Sequence, residues 1–167
     1  MNLQTTISIH AGGAGSGCNP AAGTCGRKSS GGSVYHVTHT NLVPKIQKEG
    51  LKTMQTSNWV KQGDKSRYGG GEVNTFSNAQ DALRWAAKMD WAFNTATGSG
   101  KISILKLSKG NENWQQDKES DPLGQASSKG QWLKYQGGIP PDRIQAVHQF
   151  KSEDVPYLMH DNKEFKL

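Results

Sequence analysis

Cysteine is nearly absent from this chain: Cys18 and Cys25 are the only two among 167 residues. Six residues separate them, which is not the short spacing of a zinc knuckle, and only His10 lies nearby as a further soft ligand. In an oxidising compartment they would close a small Gly/Pro loop as a disulfide; in a reducing cytoplasm they would stay two free thiols. No metal site is expected. Long apolar runs are missing too. Nothing approaches the ~18 apolar residues of a membrane helix, so no membrane partner is expected. Residues 1–24 lack the basic start and apolar centre of a secretory signal. Only 33% of residues are hydrophobic and mean hydropathy is −0.74, so part of the chain is expected to stay outside the packed core. There is also no block of five basic residues. The 20 Lys and Arg are scattered, against 14 Asp and Glu, for a net charge of +6. That balance favours nucleotides, nucleic acid or a phosphate-bearing cofactor, with solubility alone as the plain alternative.

What is present begins unevenly. Residues 1–32 are rich in Gly, Ser, Ala and Asn, with few apolar anchors after Ile9. They read as a flexible, disordered arm, and residues 33–167 as one α+β domain. Val34, Tyr35, Val37 and Thr38 form a strand. Alternation puts His36 and Thr38 on one face and Tyr35, Val37 and His39 on the other. Thr40 or Asn41 then caps a helix that has Pro44 in its first turn and Gly50 at its stop. A loop rich in Gly, Lys and Ser, from Lys52 to Gly71, has the character of a lid or binding loop.

The second unit repeats the order. Val73 and Phe76 mark a strand, and Ser77 with Gln80 has the spacing of a capping box. Ala82, Trp85, Ala86, Met89 and Phe93 then recur at helical spacing. Strands are expected over 101–107, 131–136 and 144–150. An acidic loop with Glu112, Asp117, Glu119 and Asp121 follows the first of these three. The tail from Val155 is expected to add a short strand or to lie on the surface. Strand–helix–strand–helix followed mostly by strands is an α+β pattern without regular βαβ repeats.

Three groups of residues, in this order, resemble the ADP-ribosyltransferase fold. Tyr35-His36-Val37-Thr38 leads through a helix to Glu49-Gly50-Leu51. Val73-Asn74-Thr75-Phe76-Ser77 leads to Ala82-Leu83-Arg84-Trp85-Ala86. A late strand enters Ile139-Pro140-Pro141-Asp142-Arg143-Ile144. The resemblance spans about residues 33–150 and is strongest to DNA-targeting toxins and RNA 2′-phosphotransferase relatives. It implies a split mixed or antiparallel sheet with two principal helices, and NAD as substrate. It also implies roles. His36 would hydrogen-bond a ribose hydroxyl, with Tyr35 and Thr38 beside the same ligand. Phe76 or Tyr68 would stack on nicotinamide, and Ser77 would help place a phosphate or ribose. The family carries a glutamate on the strand before the Pro-Pro turn, and here that position is Gln131. A carboxylate there stabilises a cationic, oxocarbenium-like state; glutamine keeps the hydrogen bond without the charge. Glu119 or Glu112 would be the substitutes.

The arm resembles the Gly-rich joints of tailed-phage head-morphogenesis polypeptides, through the segment from His10 to Pro20 and Gly23-Thr24-Cys25-Gly26-Arg27. This implies a phage source, action in the host cytoplasm or carriage in the virion, and contact with capsid proteins or with a host protein or nucleic-acid target.

Other classes fit less of the chain. A two-histidine phosphodiesterase needs a second His-x-Thr/Ser, but His148 and His160 lack it. A small basic ribonuclease-type toxin would draw on His36, His39, Lys134 and Arg143. A catalytically weak module binding a nucleotide or a host protein is favoured by Gln131. No serine or cysteine nucleophile motif is present.

Overall fold

The computed structural model describes residues 31–53, 71–97, 100–118, 130–160 and 163–167. Six strands form one antiparallel sheet: β1 (Ser33–His39), β2 (Val73–Phe76), β3 (Ile102–Ser108), β4 (Gln115–Gln116), β5 (Trp132–Tyr135) and β6 (Ile144–Gln149). The spatial order is β4-β5-β2-β1-β3-β6, so β1 and β2 occupy the middle. Three α-helices accompany the sheet among the described residues: α1 (Val43–Glu49), α2 (Ala79–Thr97) and α3 (Val155–Met159). The α+β class is therefore as expected, and the strands form a single continuous order.

The sheet is covered on both faces, and its sequence says why. Ile102, Ile104, Leu105 and Leu107 of β3 are all fully buried, the near-continuous apolar run of a strand packed from both sides. Ile102 and Ile104 meet α2, together with Val37 and Phe76. Leu105 and Leu107 turn the other way, to Val34, Val43, Ile46, Leu51, Val73, Leu133 and Ile139 around α1. On α2 the buried positions Ala79, Ala82, Leu83, Ala86, Met89 and Phe93 make one helical stripe.

Both helix starts differ from the sequence expectation. A 3₁₀ turn, Thr40–Leu42, precedes α1 and no side chain caps it. The Thr40 hydroxyl pairs instead with Ser103 Oγ at 2.7 Å, because the β1–β3 ladder has already brought them together. At α2 the cap is Asn78, whose Oδ1 accepts the Asp81 N–H at 2.8 Å. Ser77 and Gln80 do not form a capping box. Ser77 Oγ accepts the Gln131 N–H at 2.8 Å, and Gln80 donates to the Tyr157 carbonyl. Gly50 does end α1, with φ +78°.

The tail adds no strand and lies mostly on the surface, with Phe165 as the exception. It forms α3, and Phe165 then buries itself in the α2-side core. Of the expected arm only Gly31 and Gly32 are described, and Gly32 already accepts a bond from the Lys109 N–H. Cys18, Cys25, Tyr68, Glu119 and most of the loop after α1 lie outside the described residues. Among the described residues no helix is long and apolar enough to cross a membrane.

Candidate functional site

β1 lies between β2 and β3, so its side chains have neighbours on both flanks. Tyr35 pairs with Phe76, which puts Thr75 opposite His36; on the other flank His36 pairs with Leu105 and Thr38 with Ser103. Val34 belongs to the α1-side cluster, so His36 and Thr38 share that face. The result is a polar band on an otherwise apolar surface: His36, Thr38, Thr75 and Ser103. Thr38, Thr75 and Ser103 are buried, and His36 is half-buried.

The His36 ring is fixed. Its Nδ1 lies 2.7 Å from the Asn74 carbonyl oxygen. A carbonyl can only accept, so Nδ1 carries the proton and the neutral ring presents Nε2 as an acceptor. Burial pushes the His36 pKa below its ordinary value, and the bond to Asn74 opposes that only in part. Beside it Thr75 Oγ1 is buried without a hydrogen-bond partner. A buried hydroxyl left alone costs about 1–3 kcal/mol, so a polar group brought to this face would be rewarded for meeting it.

Ser77 and Gln131 meet at the adjoining strand ends. The Ser77 N–H donates to the Gln131 carbonyl at 2.9 Å, and the Gln131 N–H returns the bond to Ser77 Oγ. Continuing the β5 alternation from Leu133, Gln131 falls on the His36 side, with its side chain exposed. Two strand spacings and two residues of rise put the His36 and Gln131 Cα atoms on the order of 12 Å apart.

Other expected members are elsewhere. Phe76 is on the opposite face, only 6% exposed, with ring centroids 6.1 Å from Trp85 and 5.4 Å from Trp132. It is a core aromatic because β2 alternation sends it toward α2. Tyr35 turns the same way for the same reason, and burial raises its pKa, aided by Glu164. Tyr68 and Glu119 lie outside the described residues. Glu112 is engaged by the Arg143 guanidinium at 2.5 Å, which holds its carboxylate at the start of β6.

That ion pair also removes Arg143 from the ribonuclease set. His39 packs edge-on to Phe93 on the α2 face, centroids 4.4 Å apart, and Lys134 approaches Glu72 at 3.8 Å. These groups do not converge on His36.

Two participants were not anticipated, Asn74 and Thr75. Thr75 was open to the same alternation argument as His36, since it follows Val73 by two. Asn74 acts through its backbone, which leaves no trace in side-chain patterning. Among the described residues no three His, Cys, Asp or Glu come together as a metal site.

The two depressed histidines give a pH dependence. Burial lowers both His36 and His39, so the unfolded chain takes up their protons first as pH falls. Their neutral native forms therefore cost stability progressively below about pH 6.5, and nothing above it. The melting temperature of the wild type is expected to drop between pH 7 and 5.5. The drop should be smaller in a His36→Gln, His39→Gln double variant; equal drops would refute the assignment. Comparison with protein-family models and with curated proteins gives no match to this chain.

Proposed function

We propose that the sheet face around His36 binds a nucleotide of the NAD or ADP-ribose type, and that the chain is an ADP-ribosyltransferase-like protein with slow turnover of NAD. One observation carries this reading: a neutral histidine on a central strand is held by Asn74 through Nδ1, which leaves Nε2 as an acceptor, on the strand face that also carries a buried, unpartnered Thr75 hydroxyl. Nε2 can accept a ribose hydroxyl proton, and Thr75 can bond a neighbouring ribose or phosphate oxygen. The net charge of +6 favours the pyrophosphate. Ser77 and Gln131 stand at the ends of the adjacent strands, within the span of an extended dinucleotide. The Gln131 amide can orient a ribose hydroxyl but adds no charge to stabilise a developing cation. Phe76 takes no stacking role in this reading, since its ring lies in the opposite core. The resemblance of the arm supports a phage source, with a host protein or nucleic acid as the ADP-ribose acceptor and carriage with capsid proteins.

Calorimetry with NAD and ADP-ribose, with nicotinamide release followed in parallel, tests this. His36→Ala is expected to weaken binding at least tenfold, about 1.4 kcal/mol. Gln131→Glu is expected to raise nicotinamide release. Absence of binding at millimolar concentration would sink the proposal. Binding without release, even in Gln131→Glu, would favour the second reading, a non-catalytic nucleotide-binding module. That reading draws on the absence of a carboxylate at 131 and on the engagement of Glu112 by Arg143.

A further inference from the structure

On the opposite face of the sheet, α2 and β5 enclose a shallow cleft of about 110 Å³, lined by Asp81, Arg84, Trp85, Lys88 and Trp132. Its walls are two half-buried indoles set edge to face, 5.2 Å between centroids. Trp85 packs against the α2-side core over Phe76, and its outer part forms the rim of this cleft. The Lys88 ammonium sits 4.8 Å over the Trp85 ring, so a cation and an aromatic face already share the opening. Arg84, Lys88 and Trp91 follow at i, i+4 and i+7 and therefore lie along one stripe of α2. All three are exposed, and Trp91 is 70% exposed.

Trp91 adds a third, exposed indole to the helix that carries the two-indole cleft. Two cations and a tryptophan along one stripe, beside a cleft walled by two indoles, match a ligand that is both flat and anionic at short intervals. We propose that this stripe and cleft bind single-stranded nucleic acid, with a base stacked at Trp85 and Trp132, a second base on Trp91, and phosphates on Arg84 and Lys88. The cleft is well below the several hundred Å³ of a site for a whole small-molecule ligand, so it takes one ring and leaves the rest of the strand outside. An acidic peptide would offer charge to Arg84 and Lys88 but no flat ring to the indole cleft, whereas a single strand offers both. The proposal does not depend on the nucleotide reading of the His36 face.

The test is titration of the full chain with oligo-dT of about 12 nucleotides, within the roughly 4–16 nucleotides usual for stacking-based sites, read by tryptophan fluorescence and anisotropy. The expected result is quenching on binding, with affinity falling as salt rises. Arg84→Glu with Lys88→Glu should weaken binding at least tenfold. Arg84→Gln with Lys88→Gln should flatten the salt dependence by about one unit of log–log slope. Trp91→Ala, at an exposed position where folding is not at stake, should lose part of the quenching, and Trp85→Phe a further part. His36→Ala should leave all of this unchanged, which separates the two sites. dTMP alone is expected to bind far more weakly than the oligomer; equal affinity would reduce the site to a mononucleotide pocket and overturn the strand. No quenching, no effect of the charge reversal, or equal competition by poly-glutamate would overturn the proposal outright.

Discussion

Gly50→Ala is expected to destabilise the fold by about 3–4 kcal/mol, combining strain from a backbone region open almost only to glycine with overpacking. The residue has φ +78° and ψ 179°. A Cβ built there would sit 2.2 Å from the Ile139 carbonyl oxygen, against backbone that cannot swing aside. That same oxygen accepts the Leu51 N–H, and the Ile139 N–H returns a bond to Leu51, so α1 is tied to the turn after β5 at this point. Relieving the clash would pull Leu51 and Ile139 out of the α1-side cluster and loosen the cover over the His36 face. Gly71 supplies the control. It has φ +92° but open space around its Cβ position, so Gly71→Ala should cost only the strain, about 1–2 kcal/mol. Urea midpoints of the two variants measure the difference; if they coincide, the close approach to Ile139 carries no weight.

Gly50 also shows where sequence reading succeeds. A glycine after a short apolar stripe with Pro44 in its first turn signals a helix stop through local backbone chemistry alone, and the stop is there. The alternation on β1 was legible for the same reason: a period of two follows from strand geometry, and Val34 and Val37 anchor it to the two cores. Failures came where a distant partner outbid a local one. Ser77 could cap its own helix, but the β2–β5 ladder put the Gln131 N–H within reach of its hydroxyl first. Thr40 was taken by Ser103 in the same way. Phe76 and Ser77 are consecutive at a strand end, yet alternation separates them across the sheet, so they do not share a face as the resemblance implies. Trp85 has the spacing of a core residue on α2 but lies beside a second indole, Trp132, that no local pattern connects to it. The polar band around His36 was half legible, since side-chain alternation gives Thr38 and Thr75 while the Asn74 carbonyl has no side-chain signature.

The C-terminal tail was the least legible segment, and it supplies the other large expected effect. Its sequence after Met159 is short, polar and without periodicity, which gave no reason to bury it. The structure nevertheless places Phe165 in the α2-side core at 6% exposure. Its ring packs edge-on to His148 and Tyr157, at 5.1 and 5.8 Å between centroids. Three further bonds fasten the segment around it. The Phe165 N–H donates to Gln80 Oε1, the Gln80 amide donates to the Tyr157 carbonyl, and Lys106 Nζ donates to the Leu167 carbonyl at 2.8 Å. His148 is itself held by Asp154 at 2.9 Å, and Asp154 also takes the Lys151 N–H, so the turn into α3 is tied to β6 by bonds of its own. A single aromatic thus closes the gap between α2, β6 and α3. Phe165→Ala is expected to cost about 3–5 kcal/mol, the range for emptying a buried aromatic site. For a chain of this size that is a fall of roughly 6–20 °C in melting temperature. Removing residues 163–167 should cost at least as much, because the bonds to Gln80 Oε1 and from Lys106 Nζ go with the ring. Leu at 165 should recover part of the loss by refilling the volume, whereas a charged residue there should not. If truncation left the urea midpoint at the wild-type value, the tail would be an ornament on a core already complete, and the packing of His148 and Tyr157 against it would have no energetic consequence.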